Sequence, residues 1–120
     1  MAGVAVCKGA RCEVKFRWYL PAGDYRVLET DYSNYAVVYS CRSILGVAKQ
    51  EYLWILSRDI ELPKETLKKI EGTVRDRLPW YDVDKNMHNT KQGGTCKYLP
   101  VESLENPEFE EATNDFLAYN

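Results

Sequence analysis

The sequence holds a single histidine, His88. A Ser-His-Asp arrangement would have only that one residue to supply its base, and no serine stands in a recognisable pattern with it. His88 lies in a polar segment with no second histidine nearby, so it is read as solvated rather than as a metal ligand. The glycines at 9, 23, 46 and 72 are isolated, and Gly93-Gly94 is followed neither by Lys-Ser nor by a helical pattern, which excludes a phosphate-cradling loop. No apolar run reaches the roughly 18 residues that a membrane helix needs. Met1–Cys7 is too short for a secretory apolar region, so no signal peptide is visible in this chain. No internal repeat is found. The carboxylates fall on a helix face, in turns or near the C-terminus, and none is marked out for the burial that raises the pKa of a general acid. Together these absences argue against an enzyme and against a resident metal or cofactor.

What is present is apolar and aromatic. The 120 residues suit one domain with one core. Nine Tyr and three Trp supply rings for a core or for a ligand pocket. The formal net charge of −2 hides an asymmetry, because residues 101–120 carry six of the 18 acids and no Lys or Arg. That segment is expected to be an acidic, disordered tail behind a domain spanning 1–100. The first hundred residues hold all 16 bases against 12 acids, too mixed a balance for nucleic-acid binding. Four cysteines (Cys7, Cys12, Cys41 and Cys96) allow three pairings. Their even count and scattered spacing favour disulfides over zinc.

Arg11–Leu20 alternates Cys12, Val14, Phe16 and Trp18 with Glu13, Lys15 and Arg17, the period-two pattern of a half-buried strand. Pro21-Ala22-Gly23-Asp24 is a turn. Tyr25–Thr30 is a second strand, and Asp31–Asn34 supplies short polar side chains for the next turn. Tyr35–Cys41 is a third strand, apolar enough to be covered on both faces. Arg42–Gln50 is a loop, and Glu51–Ser57 is a fourth strand. The period then changes. Leu67, Ile70, Val74 and Leu78 recur at three- and four-residue spacing across Pro63–Leu78, an amphipathic helix begun by Pro63 and ended by Pro79. Trp80-Tyr81 is placed as an anchor of the helix end, and Asp82–Gln92 is ambiguous, with room for one short edge strand. The class is mainly β: an antiparallel meander of four or five strands with one C-terminal α-helix.

The run Thr30-Asp31-Tyr32, Asn34–Val37, Tyr39-Ser40-Cys41 resembles the lipocalin signature at the turn between that family's sixth and seventh strands. Ser57-Arg58 after Trp54-Ile55-Leu56 is similar to the arginine that closes its eighth strand, and Leu62-Pro63 with Glu65 resembles the start of its helix. The likeness covers residues 10–98. It departs at the family's first signature, a Gly-x-Trp, which this sequence lacks.

The resemblance implies a partial β-barrel whose strands bind a lipid, retinoid, steroid, carotenoid or bilin, in a secreted protein. It implies that Val14, Phe16, Tyr25, Val27, Ala36, Val38, Tyr52, Trp54 and Leu56 face the ligand, with Tyr25 and Tyr52 as polar contacts. Tyr32, Tyr35 and Tyr39 would then face the helix, and Arg58 would close a barrel end by packing over the signature Trp. In relatives, cysteines placed like Cys41 and Cys96 pair with the N-terminal half. Whether Cys7 or Cys12 replaces one of those partners stays open. Four or five strands cannot close a barrel that needs about eight, so two open edges are expected. Three alternatives follow: a truncated product, which is favoured, a half-barrel completed by a second copy, or a half that swaps with another lipocalin chain. The first functional reading is a carrier of an apolar ligand, and its rivals are an assembly module and a fragment without independent function.

Overall fold

The computed structural model describes residues 3–97. Five strands follow one another: β1 (Val4–Lys8), β2 (Arg11–Lys15), β3 (Gly23–Thr30), β4 (Tyr35–Ile44) and β5 (Ala48–Ser57). Helix α1 (Lys64–Arg77) and the one-turn α2 (Val83–Asn86) complete the order. The strands pair in chain order as one unclosed sheet, β1-β2-β3-β4-β5, as the sequence pattern predicts for a mainly β meander with a helix behind it. The residues form two compact units, one of residues 3–26, 40–50 and 97 and the other of 27–39 and 51–96. The tail expected at 101–120 lies outside the described residues.

In the first unit, β1 is a strand that the sequence pattern did not announce. It pairs antiparallel with β2, and Lys8 stands opposite Arg11. Gly9 and Ala10 are then the two turn residues, and Gly9 (φ 61°) provides the positive φ that the first position of a tight hairpin asks for. Cys7 and Cys12 face each other in the ladder and are joined by a disulfide. The other two candidate cysteines form none: Cys41 is half-buried and Cys96 exposed, both as free thiols. β2 is shorter than its alternation suggests. It stops at Lys15, and the Leu20 N–H donates to the Arg17 carbonyl (3.1 Å), so Phe16–Leu20 turns instead of extending. Asp24 of β3 bridges Arg11 (3.2 Å) and Arg26 (2.7 Å) on the face away from Cys12. The loop expected at 42–50 is mostly strand. β4 runs on to Ile44 and β5 begins at Ala48, joined by a turn in which Leu45 (φ 52°) and Gly46 (φ 72°) are both left-handed. The Val47 N–H donates to the Ile44 carbonyl (3.1 Å).

In the second unit, the turn from β3 to β4 is organised by Asp31. Its carboxylate accepts from the N–H groups of Ser33 (3.1 Å), Asn34 (2.7 Å) and Tyr35 (3.0 Å), and from the Asn34 side-chain amide (2.9 Å). The Thr30 hydroxyl donates to the Tyr35 carbonyl (2.7 Å) and accepts from the Tyr32 N–H (2.9 Å). The Thr-Asp-Tyr run is thus a turn-forming device. Tyr32 sits at its apex, left-handed (φ 63°) and 87% exposed, so it does not pack under the helix as expected.

Helix α1 presents the foreseen stripe. Ile70 and Val74 are fully buried, Leu78 is buried and Leu67 half-buried. Pro63 stands just before the helix as its N-cap, and Pro79 follows its end. Full burial of Ile70, Val74, Val37 and Val38 stabilises this unit by about 1.5–3 kcal/mol per side chain. The ambiguous stretch after the helix contains no strand. Asp82 accepts from the Lys85 N–H (3.1 Å) and caps α2, whose Val83 is buried and whose Asp84 pairs with Arg75 of α1 (2.9 Å). His88 is exposed. Among the described residues no helix is long and apolar enough to cross a membrane.

Candidate functional site

Side chains alternate along a strand, so one contact across to a neighbouring element fixes both faces. On β4 the Tyr39 hydroxyl donates to Glu51 of β5, placing Tyr35, Val37 and Tyr39 on the face that bears Glu51, Leu53 and Ile55. Helix α1 lies over this face. Its Lys69 reaches the Tyr35 hydroxyl (3.2 Å) and the Glu29 carboxylate (3.3 Å), with the ammonium 5.9 Å from the Tyr35 ring centre. The Tyr35 hydroxyl donates to Glu29 (2.5 Å). Bonds from Thr73 and Tyr35 hold the Glu29 carboxyl below its ordinary pKa. The Glu29 carboxylate raises that of Tyr35, and the Tyr35 hydroxyl that of Lys69. This set is a clamp between sheet and helix.

The opposite face of β4 and β5 carries Ala36, Val38, Tyr52, Trp54 and Leu56, five of the nine residues expected to meet a ligand. Val38 is fully buried. Tyr52, Trp54 and Leu56 remain 44%, 42% and 47% exposed, although all three are large and apolar. The Tyr52 and Trp54 rings are stacked, with centres 5.4 Å apart and planes inclined by 7°. An open apolar shelf with a rigid aromatic step can hold a flat or extended hydrocarbon by burial, without chemistry.

Val27 falls elsewhere. It shares a face of β3 with Glu29, and Glu29 is under α1, so alternation puts Val27 on the helix side and Leu28 on the side of Ala36 and Val38. The sequence could not decide this, because both faces of Tyr25–Thr30 mix polar and apolar residues. In the first unit, Cys12 stands opposite Tyr25 and Val14 opposite Gly23, so Val14 and Tyr25 share a face, both half-buried. Phe16 lies past the end of β2, half-exposed, with its ring against the Gly3 backbone, where a Cβ would stand 2.7 Å from it. Arg58 is exposed. Its N–H donates to the Asn34 carbonyl (2.9 Å), which fastens the end of β5 to the turn before β4.

A second hollow lies at the start of β5, lined by Glu51, Tyr52, Leu53, Trp80, Tyr81 and Asn86, with a volume of about 420 Å³. The Trp80 indole N–H donates to Glu51 (2.9 Å), the anchoring role expected of the Trp80-Tyr81 pair. Burial raises the Tyr81 pKa. Sequence reading did not find this hollow, because α2 brings Asn86 back to β5 over a stretch without apolar periodicity. Among the described residues no group of three or more His, Cys, Asp or Glu stands together as a metal site.

Comparison with known proteins places this arrangement. Apolipoprotein D of Macaca fascicularis is 50% identical over 71 residues, 59% of this chain and 38% of that protein. Apolipoprotein D of Cavia porcellus is 44% identical over 94 residues, 78% of this chain and 48% of that protein. The crystal structure of lobster apocrustacyanin A1 superposes with a TM-score of 0.65 at 26% identity, over 84% of this chain and 54% of that one. The chain therefore spans about half or less of the length of these relatives. The profile of the lipocalin / cytosolic fatty-acid binding protein family matches residues 6–87, and the chain belongs to that family.

Proposed function

We propose that the chain binds a small hydrophobic ligand, a lipid, retinoid, steroid, carotenoid or bilin, on the β4–β5 face opposite α1. Leu28, Ala36, Val38, Tyr52, Trp54 and Leu56 supply the surface, and the Tyr52 hydroxyl supplies a polar contact. The observation that carries this reading is the Tyr52-Trp54-Leu56 shelf, close to half exposed while the opposite face is packed under a helix. Family membership and the apolipoprotein relatives support the ligand class. Burying about 400 Å² of apolar surface at roughly 25 cal/mol per Å² yields about 10 kcal/mol, and ordering costs reduce this to a dissociation constant in the range of tens of micromolar. Secretion is part of the same reading, supported by the apolipoprotein relatives and by the Cys7–Cys12 disulfide, since disulfides persist in oxidising compartments. The test is titration of a variant retaining only Trp54 (Trp18→Phe with Trp80→Phe) with retinol, a fatty-acid probe and biliverdin. Saturable quenching by one of them is expected, and unchanged emission with all three refutes the reading.

A second reading is assembly, favoured by the unclosed sheet, whose outer strands β1 and β5 each have one neighbour among the described residues. A second copy or another lipocalin chain would pair with such an edge. Light scattering decides it: a strict monomer with native near-UV dichroism refutes assembly.

A further inference from the structure

The hollow at the start of β5 lies wholly within the second unit. It opens on the side of α1, because Glu51 and Leu53 alternate with the Tyr52 of the open shelf. Among the described residues that line it, Glu51 is the charged one. The Tyr39 hydroxyl and the Trp80 indole N–H (2.9 Å) both donate to its Oε1 atom. These two donors are neutral, so they fix the carboxylate in place without cancelling its charge.

Two rings stand beside that charge. Trp80 uses its N–H on Glu51 and is still 64% exposed, which leaves the face of the indole open. Tyr81 is half-buried, and the Glu51 charge adds to the effect of burial in raising its pKa, so ring and carboxylate are close. The Tyr52 ring is stacked on Trp54 and serves the other face. Asn86 brings an amide from α2. Around the rim, Asp84 is paired with Arg75, and Asp82 caps α2 with Lys85 beside it. The segment Trp80–Asn86 thus holds two acids against one base, and Glu51 adds a third acid.

This set of groups discriminates among ligands. A negative surround disfavours an anion. A carboxylate and an amide are too few oxygen ligands for calcium, which takes six to eight. Two open ring faces beside a fixed carboxylate attract a cation that is large and weakly hydrated. Glu51 already accepts two hydrogen bonds at Oε1, which favours a cation that has no N–H to donate. The volume of about 420 Å³ is at the small end for a ligand site. We propose that this hollow binds a small quaternary ammonium ion, with Trp80 and Tyr81 against its methyl groups and Glu51 supplying the opposite charge. The site lies on the α1 side of the sheet, so it stands whether or not the shelf holds a hydrophobic ligand.

The test is calorimetric titration of the full chain with choline chloride, with sodium chloride at equal ionic strength as the blank. A dissociation constant of about 1 mM is expected. Neohexanol, the uncharged carbon isostere of choline, should bind about tenfold more weakly, because it keeps the shape and loses the charge. Glu51→Gln keeps an oxygen for Tyr39 and Trp80 and should also lose about tenfold. Trp80→Leu keeps apolar bulk without the ring and should lose about two- to fivefold. Phosphocholine distinguishes a lipid head from the free ion: its phosphate meets the Glu51 charge, so it should bind more weakly than choline. No saturable binding of choline up to about 50 mM overturns the proposal. So does neohexanol binding as tightly as choline, a preference for phosphocholine, or full affinity in Glu51→Gln with native near-UV dichroism. The neohexanol comparison uses the parent chain, so it decides the matter even if a variant fails to fold.

Discussion

Replacing Leu45 by Asn should stabilise the protein, although it exchanges a large apolar side chain for a polar one. The left-handed conformation costs an L-residue roughly 1–2 kcal/mol, and Asn adopts it more readily because its side chain bonds locally. At 93% exposure, Leu45 has almost no buried area to lose. The balance is a gain of about 1 kcal/mol, which for a domain of this size is a rise of about 4 °C in thermal midpoint. Calorimetry of the parent, Leu45→Asn and Leu45→Ala separates the causes. Ala keeps the backbone penalty while removing the exposed surface, so it should gain nothing. If Asn leaves the midpoint unchanged or lowers it, the turn is not strained. If Ala stabilises as much as Asn, the exposed surface and not the backbone was the source.

Truncating Ile70, fully buried under the sheet, to Ala should cost about 2–5 kcal/mol, read from denaturant midpoints, and a loss below about 1 kcal/mol would mean that α1 is not docked as described. Hydrogen bonds, first from the Tyr35 N–H, hold the Asp31 carboxyl at about 2 rather than 3.8. Its folded value is the lower one, so its contribution is complete above about pH 4 and is lost as pH falls toward 2. Melts from pH 6 to pH 2 should therefore decline more steeply for the parent than for Asp31→Asn, and parallel profiles would refute this. Replacing Cys7 and Cys12 together by Ser should cost about 2 kcal/mol for a loop this short and should remove hydrogen-exchange protection from β1 first.

Legibility in the sequence followed periodicity and turn chemistry. Helix α1 was readable because four apolar residues at helical spacing need no context. The Thr30–Tyr35 turn was readable because Asp31 and Asn34 act on their own backbone. Strand β1 was hidden, since Val4–Lys8 is too short to show a pattern and its pairing depends on the Gly9 turn and a cysteine across the ladder. The β4–β5 turn was hidden for the opposite reason: Leu45-Gly46 lacks the usual first residue, so the strands seemed to end several residues early. On the face opposite α1, the residues of β4 and β5 could be grouped because their alternation is clean. The side of the sheet on which alternation puts Val27 could not be read, because Glu29 on the same face takes its direction from Lys69 and Thr73, some forty residues further along the chain.

The three tryptophans occupy three distinct settings. Trp18 stands in the exposed turn after β2, Trp54 is stacked on Tyr52 on the open face, and Trp80 is tied to Glu51 beyond the helix. Each reports on a different part of the fold. Retaining them one at a time turns a single emission spectrum into three independent channels: Trp18 for the turn after β2, Trp54 for the open β4–β5 face and Trp80 for release of the helix from the sheet. The order in which these channels respond during one titration would show whether the three settings change together or separately.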